Sequence, residues 1–200
     1  MKMRLLKVAL FGFCAVIPAA ADNIVTNPGF ESGLSGWTSS TDWGSGNFAV
    51  HSGVLEAYTE CVGAACITIP TSFLYQDLTT VSGQMYDLSF WYRFEGPSSP
   101  VGPNELLTSV SGNVVSDLVN QSNNGGVYQQ VFTTFVASGS TTRLQFDGRN
   151  DPSFLILDDV CVDAPGGACA QAASVPEPTT GFLVLAGVAT LLLARKYGFS

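Results

Sequence analysis

The chain has 200 residues, a formal net charge of −8 and only eight basic residues. Residues 22–163 contain fifteen carboxylates against three arginines and no lysine, which leaves −12 on that segment. Such a segment repels polyphosphate, so nucleic acid is excluded as an expected partner. A neutral ligand or a divalent cation suits it better.

The amino-terminal 21 residues predict a secretory signal peptide. Three basic residues precede an apolar core at 8–17, and Ala19-Ala20-Ala21 offers a cleavage site before Asp22. The alternative is an uncleaved anchor, but this apolar core is shorter than a membrane span. We therefore expect export with removal of residues 1–21.

Residues 22–163 have the length of one domain and the pattern of short strands separated by turns. Tyr86 to Phe94 alternates, with Leu88 and Phe90 on one face and Trp91 and Arg93 on the other. Clusters of Gly, Asn, Pro and Ser, including 96–103 and 147–152, separate the runs. Strand-like runs are found at 48–50, 53–58, 72–78, 86–94, 106–111, 113–119, 127–137, 141–146 and 154–162. This spacing predicts an all-β jelly-roll sandwich.

Four cysteines remain after signal-peptide removal: Cys61, Cys66, Cys161 and Cys169. An even number in an exported protein predicts two disulfides, for which three pairings are open. Closeness in sequence favours Cys61 with Cys66 and Cys161 with Cys169. A four-thiolate zinc site is the alternative, although the paired C-x-x-C spacing typical of such sites is missing.

Three short motifs give the domain a family resemblance. Asn27-Pro28-Gly29-Phe30-Glu31 with Gly36-Trp37 opens the domain, Tyr75-Gln76-Asp77-Leu78 precedes the long alternating strand, and Leu157-Asp158-Asp159-Val160-Cys161-Val162 closes it. Their order resembles that of carbohydrate-binding-module-like, galactose-binding-like jelly rolls over most of residues 23–163. Such sandwiches bind sugars, mediate adhesion or act as structural spacers, so the fold alone does not determine the function.

The resemblance also implies a structural calcium where the first and last strands meet. The oxygen ligands would be the Gly29 carbonyl and the carboxylates of Glu31 and of Asp158 or Asp159, since calcium takes six to eight oxygens. Strand alternation predicts that Asp158 and Asp159 point to opposite faces, so that only one is a ligand. The alternative is a set of solvated turn carboxylates.

A sugar site needs aromatic platforms beside planar hydrogen-bonding groups. Trp91 and Arg93 share a face with Asp87, and Arg143 and Gln145 share a later face with Asp147. We expect these residues to form a concave glycan surface. The alternative for Trp91 is burial between strands.

Catalytic machinery is not evident in the sequence. His51 is the single histidine, so neither a histidine triad nor a multi-histidine metal centre is expected. The many carboxylates make any choice of a glycosidase pair uninformative.

The carboxyl end predicts membrane insertion followed by processing. Val175-Pro176-Glu177-Pro178 precedes an apolar stretch at about 179–194, and Arg195 and Lys196 follow it. The stretch is marginally long enough to span, and the basic pair would stay in the cytoplasm. This arrangement, residues 175–200, resembles the PEP-CTERM sorting signal, which implies an exosortase as processing partner. Residues 164–174 predict an exposed, flexible linker.

Two interpretations of function remain open. The first is a noncatalytic exported protein of the cell surface or extracellular matrix. It would pass through the inner membrane by the secretion machinery, be processed by exosortase and bind exopolysaccharide. The second is a secreted carbohydrate-active enzyme or an accessory module of one.

Overall fold

The computed structural model describes residues 23–60, 72–96, 103–122 and 126–169. The strands are β1 (Glu31–Leu34), β2 (Thr38–Ser39), β3 (Trp43–Gly46), β4 (Glu56–Thr59), β5 (Phe73–Thr79), β6 (Met85–Phe94), β7 (Asn104–Val110), β8 (Asn113–Val119), β9 (Gln129–Val136), β10 (Thr141–Asn150) and β11 (Leu155–Asp163). None of the described residues forms a helix long and apolar enough to cross a membrane. The predicted signal peptide and the predicted span at 179–194 lie outside the described residues.

Ten of the strands form two five-stranded antiparallel sheets. The first sheet has the order β2-β5-β10-β7-β8, and the second has the order β3-β4-β11-β6-β9. Strands distant in sequence are therefore neighbours, as in β10 beside β5 and β7. The all-β jelly-roll sandwich predicted from the sequence is confirmed.

The core lies between the sheets because alternate side chains of each strand point inward. Leu88 and Phe90 of β6 and Leu144 and Phe146 of β10 are fully buried. The rings of Phe90 and Phe146 meet edge to face across the sandwich, with centroids 5.1 Å apart. Each such burial contributes about 1.5–3 kcal/mol relative to exposure. The alternation predicted for residues 86–94 is confirmed.

Two of the predicted boundaries are wrong. Residues 48–50 form no strand, because Phe48 packs on Tyr58 and its N–H donates to a Glu56 carboxylate oxygen at 3.1 Å. The turn predicted at 147–152 begins late, since β10 continues to Asn150. Gly148 is a packing requirement there: an added Cβ would lie 2.5 Å from Leu155 Cδ2. The short strands β1 to β3 were not predicted.

Candidate functional site

The outward side chains of β5, β10 and β7 form a continuous surface, which we call the first-sheet face. On β10 the buried Leu144 and Phe146 alternate with Arg143, Gln145 and Asp147, which therefore point outward. The register places Asp77, Tyr75 and Phe73 of β5 opposite these three residues on one side. Ser109 and Leu107 of β7 lie opposite Gln145 and Asp147 on the other side.

Arg143 is held by two partners on β5. Its Nε and Nη2 donate to the two carboxylate oxygens of Asp77 at 2.8 and 2.9 Å. Its guanidinium carbon lies 3.8 Å from the centroid of the Tyr75 ring. The hydrogen bond from Arg143 lowers the pKa of Asp77. The result is a flat platform of ring and guanidinium, of the kind on which a sugar C–H face packs.

Polar acceptors lie next to this platform. Gln145 Nε2 donates to both Asp147 carboxylate oxygens at 3.0 Å. Asp147 is only 2 % exposed, and burial raises its pKa to about 6, with a further contribution from the charge of Glu105. Burial and the charge of Asp117 raise the pKa of Glu105. These groups can accept hydrogen bonds from hydroxyls.

Two hollows flank the platform. The larger, of about 400 Å³, is lined by Thr26, Thr38, Tyr75 and Asp77, among others. The smaller, of about 240 Å³, is lined by Leu107, Ser109, Val114, Arg143, Gln145 and Asp147. The smaller hollow combines apolar walls with a few polar groups, as is typical of a binding site for a small molecule or a chain segment, whereas the larger is lined mainly by polar surface.

Trp91 and Arg93, two of the predicted sugar ligands, are on the outer side of the second sheet and are covered. The His51 ring stacks on Trp91 with centroids 4.1 Å apart, and its Nδ1 lies 2.6 Å from Asp159 Oδ2. Arg93 is ion-paired with Glu95. Trp91 is therefore half-buried, but it is covered by a loop on the outer side of the sheet rather than lying between strands as the alternative had it.

Asp87 lies on the same side of the second sheet and accepts a hydrogen bond from the Gly166 N–H at 3.3 Å. The expected single glycan surface is therefore corrected: Asp87, Trp91 and Arg93 belong to one sheet, and Arg143 and Gln145 to the other. The sequence cannot reveal this separation, because strand order within the sheets is set by long-range pairing.

The first and last segments of the domain meet as expected. The Ile24 N–H donates to the Val162 carbonyl at 2.8 Å, and the Val160 N–H donates to the Pro28 carbonyl at 2.9 Å. Two aspartate carboxylates lie close to Gly29, whereas the Glu31 carboxylate lies against Gly53 and Val54. A Cβ built on Gly29 would lie 3.4 Å from an Asp159 oxygen, 3.8 Å from an Asp158 oxygen and 3.9 Å from Glu31 Cγ.

The loop at residues 51–55 closes over the same carboxylates. The His51 and Ser52 N–H groups donate to Asp158 Oδ2 at 2.9 and 3.2 Å. The Val54 N–H donates to Glu31 at 3.0 Å. Asp158 is fully buried, and burial together with the charge of Asp159 raises its pKa to about 6.

The expectation that Asp158 and Asp159 point to opposite faces is wrong. Asp159 has a φ of 48°, in the left-handed region, and the pairing of β11 with β6 shifts register between Asp158 and Cys161. This bulge turns both carboxylates toward the 51–55 loop, where Ser52 Oγ donates to Asp159 at 2.7 Å. A single sequence carries no clear signal for such a bulge.

The carboxylates at this junction are of the type that a hard divalent cation prefers, but they do not form a closed ligand set. In the part of the chain that the structure describes, ligand atoms of three such residues lie within 4.8 Å of one another at Cys161, Asp163 and Cys169, and not at Glu31, Asp158 and Asp159. The His51 ring contacts Asp159. Calcium prefers such oxygen donors. The pKa of Asp158 is raised first by burial and second by the charge of Asp159, and a bound cation would offset the second cause.

The disulfide between Cys161 and Cys169 is confirmed. Cys61 and Cys66, and the sorting residues Val175, Pro176, Glu177, Pro178, Arg195 and Lys196, lie outside the described residues. Residues 164–169 were predicted as exposed linker, but Cys169 is buried and the Gly166 N–H is bonded to Asp87. The folded unit thus extends to Cys169.

Comparison with known proteins agrees with this architecture. A family model described as a carbohydrate binding domain, CBM_4_9, matches residues 22–148. None of the curated proteins matches the chain in sequence.

Several solved structures share the fold. The xylan-binding CBM22-1 domain of Paenibacillus barcinonensis Xyn10C is 17% identical, with 73% of this chain and 97% of that domain covered and a TM-score of 0.54. TmCBM61 in complex with β-1,4-galactotriose is 15% identical, with 71% and 98% covered and a TM-score of 0.53. A cleaved adhesin domain of Lys-gingipain from Porphyromonas gingivalis is 17% identical, with 69% and 96% covered and a TM-score of 0.53. At these identities the likeness is one of fold, whereas the family match covers most of the domain. The chain therefore belongs to the carbohydrate binding domain family CBM_4_9.

Proposed function

We propose that this chain is an exported, noncatalytic protein that binds a neutral polysaccharide on the first-sheet face. The observation that supports this proposal best is the arrangement of Arg143 over Tyr75, with Gln145 and Asp147 beside them and a hollow on each side. Xylan and β-1,4-galactan are reasonable first ligands, because they appear with the structural neighbours.

The charge of this face favours a neutral ligand. Arg143 is already paired with Asp77, and Asp147 and Glu105 are acidic. A polyuronate would meet repulsion from these carboxylates, of which Arg149 opposite Glu105 offsets only a part. Hydroxyl groups, in contrast, find acceptors in the partly exposed Gln145 and Glu105 side chains and a flat surface in the Tyr75–Arg143 pair.

Affinity electrophoresis against a panel of soluble polysaccharides, combined with an assay for reducing ends, tests this proposal. Retardation by a neutral glycan without release of sugars is the expected result. Release of sugars would support the alternative of a secreted carbohydrate-active enzyme. Absence of both retardation and release would favour a structural spacer.

We also propose calcium as a structural cofactor at Gly29, Glu31, Asp158 and Asp159. Three carboxylates held by one loop and one bulge support this proposal. The ion would tie the amino-terminal segment, the 51–55 loop and β11 together. Its role is structural, because it lies beside the second sheet rather than on the first-sheet face.

For localisation, we propose passage through the inner membrane, trimming by exosortase near Pro176 to Pro178, and delivery to the cell surface or matrix. The basis is the ordered set of Val175-Pro176-Glu177-Pro178, the apolar stretch and Arg195-Lys196. Replacing Pro176 and Pro178 together should leave the domain folded and stop maturation. Normal trimming of that variant, measured by the mass of the protein in membrane and medium fractions, would contradict the assignment.

A further inference from the structure

The four lateral edges of the two sheets are not equally protected against pairing with another strand. β2 has two residues, and β3 has four, of which two are glycines. β8 carries Asp117 and an irregular register against β7. β9 has eight residues, an unbroken register with β6 and no charged side chain. Natural sheets protect such edges by shortness, charge or bulges, and β9 has none of these features.

The absence of charge extends beyond the strand. No charged residue occurs between Asp117 and Arg143, although residues 22–163 as a whole carry a net charge of −12. Two domains with such a charge repel each other over most of their surface. The repulsion is weakest where they approach through this uncharged segment.

Exposed apolar side chains lie along the same edge. On β9, Phe132 is 38% exposed and Val136 is 62% exposed. Met85 of β6, which pairs with Val136, is 46% exposed. β8 approaches β9 on this side of the sandwich but belongs to the other sheet, so it provides no hydrogen-bonded ladder for β9.

We propose that a second copy of this chain pairs with the free edge of β9, strand to antiparallel strand, and joins the two second sheets into one ten-stranded sheet. Within residues 23–60, 72–96, 103–122 and 126–169 no strand pairs with this edge of β9. Its N–H and C=O groups would supply the hydrogen bonds, and Phe132 and Val136 would bury apolar area. An antiparallel pair of identical strands is isologous, so this interface closes as a dimer.

The symmetry of this dimer has a functional consequence. Its two-fold axis runs perpendicular to the joined sheet, so equivalent faces of both copies point to the same side. Both first-sheet faces then point one way, and both chains leave the fold at Cys169 on the opposite side, where the disulfide lies against β6. If the first-sheet face binds polysaccharide as proposed above, the dimer is bivalent and gains avidity on a repeating polymer.

Sedimentation of the full chain in a mild detergent, over a wide dilution series, tests the dimer. Wild type should shift from the mass of one chain to that of two as concentration rises. Two double variants should no longer form the dimer: Phe132→Lys with Thr134→Lys, and separately Phe132→Glu with Thr134→Glu. In each of them like charges meet across the two-fold axis. Mixing the two variants should restore it, which also shows that both are folded.

The matched control places two lysines on β8, the edge strand of the first sheet, as Asn113→Lys with Val119→Lys. This variant should form the dimer as wild type does. A wild-type chain that stays monomeric throughout would overturn the proposal. So would lysine and glutamate variants that dimerise as wild type does, or folded variants whose mixture stays monomeric. Loss of the dimer in the β8 control would also overturn it.

Discussion

Among the residues of the first-sheet face, we expect Asp147 to affect the pH dependence of stability most, because its carboxyl is buried beside the acidic Glu105. Its pKa of about 6 in the folded protein exceeds the usual value of about 3.9 in an unfolded chain. The folded state therefore binds a proton more tightly than the unfolded state between about pH 4 and pH 6. The free energy of unfolding must fall as pH rises through that window.

We predict that Asp147→Asn raises the free energy of unfolding at pH 7 by about 2 kcal/mol and flattens its decline between about pH 4 and pH 6. In calcium-free buffer part of the decline should persist, since Asp158 also has a pKa of about 6. Denaturant titrations at several pH values measure the effect. Asp117→Asn, which removes an exposed carboxylate, is the control and should change stability little. A variant as pH-dependent as wild type would show that Asp147 is not the cause.

The candidate site was only partly predictable at the level of residues. Arg143 and Gln145 could be identified because they share a strand face with Asp147. Tyr75 was visible only as part of a family motif, although alternation in residues 73–79 puts Phe73, Tyr75 and Asp77 on one face. His51 was notable in the sequence only as the single histidine, and its contact with Trp91 depends on a loop path that local sequence does not define.

At the level of elements, the 51–55 loop and the β11 bulge define the proposed calcium site. Adding a chelator should lower the melting temperature of wild type by about 8 °C relative to calcium at about one hundred times its Kd. Asp158→Asn should melt at the same temperature with and without the chelator. Asp117→Asn should keep the wild-type shift. A wild-type melting curve that the chelator leaves unchanged would remove calcium from this site.

The disulfide joins β11 to the segment that follows it, because Cys161 in β11 and Cys169 close a short loop over the second sheet. Replacing both by alanine should lower the free energy of unfolding by about 2 kcal/mol, toward the low end for disulfides because the loop is short. Denaturant midpoints measure this change. The Asp163 carboxylate would also lose the ordered Cys169 N–H, which donates to it at 2.8 Å. An unchanged midpoint would mean that packing alone holds residues 164–169.

Most strands were predictable because alternation and turn residues act locally. β8 was predicted with its observed bounds at Asn113 and Val119. The errors arise where tertiary contacts override local signals: Gly148 resembles a turn residue but makes room for Leu155, and β1 to β3 are too short to show a period. The bulge at Asp159 belongs to the same class.

In the molecule as a whole, the two outer faces differ in how far they are covered. The first sheet presents the platform and its two hollows, while loops 47–55 and 164–169 cover much of the second sheet. The sequence predicted a sandwich, but the assignment of strands to sheets depends on pairings across the whole chain. That assignment is what separates Tyr75 and Arg143 from Trp91.

Titration calorimetry with xylan and β-1,4-galactan oligosaccharides can place the sugar site on one of the two sheets. We expect saturable binding to wild type, loss of most of that binding in Tyr75→Ala and in Gln145→Ala, and unchanged binding in Trp91→Phe, all with melting curves that show a folded domain. Binding that survives Tyr75→Ala and Gln145→Ala but disappears in Trp91→Phe would instead place the site on the second sheet.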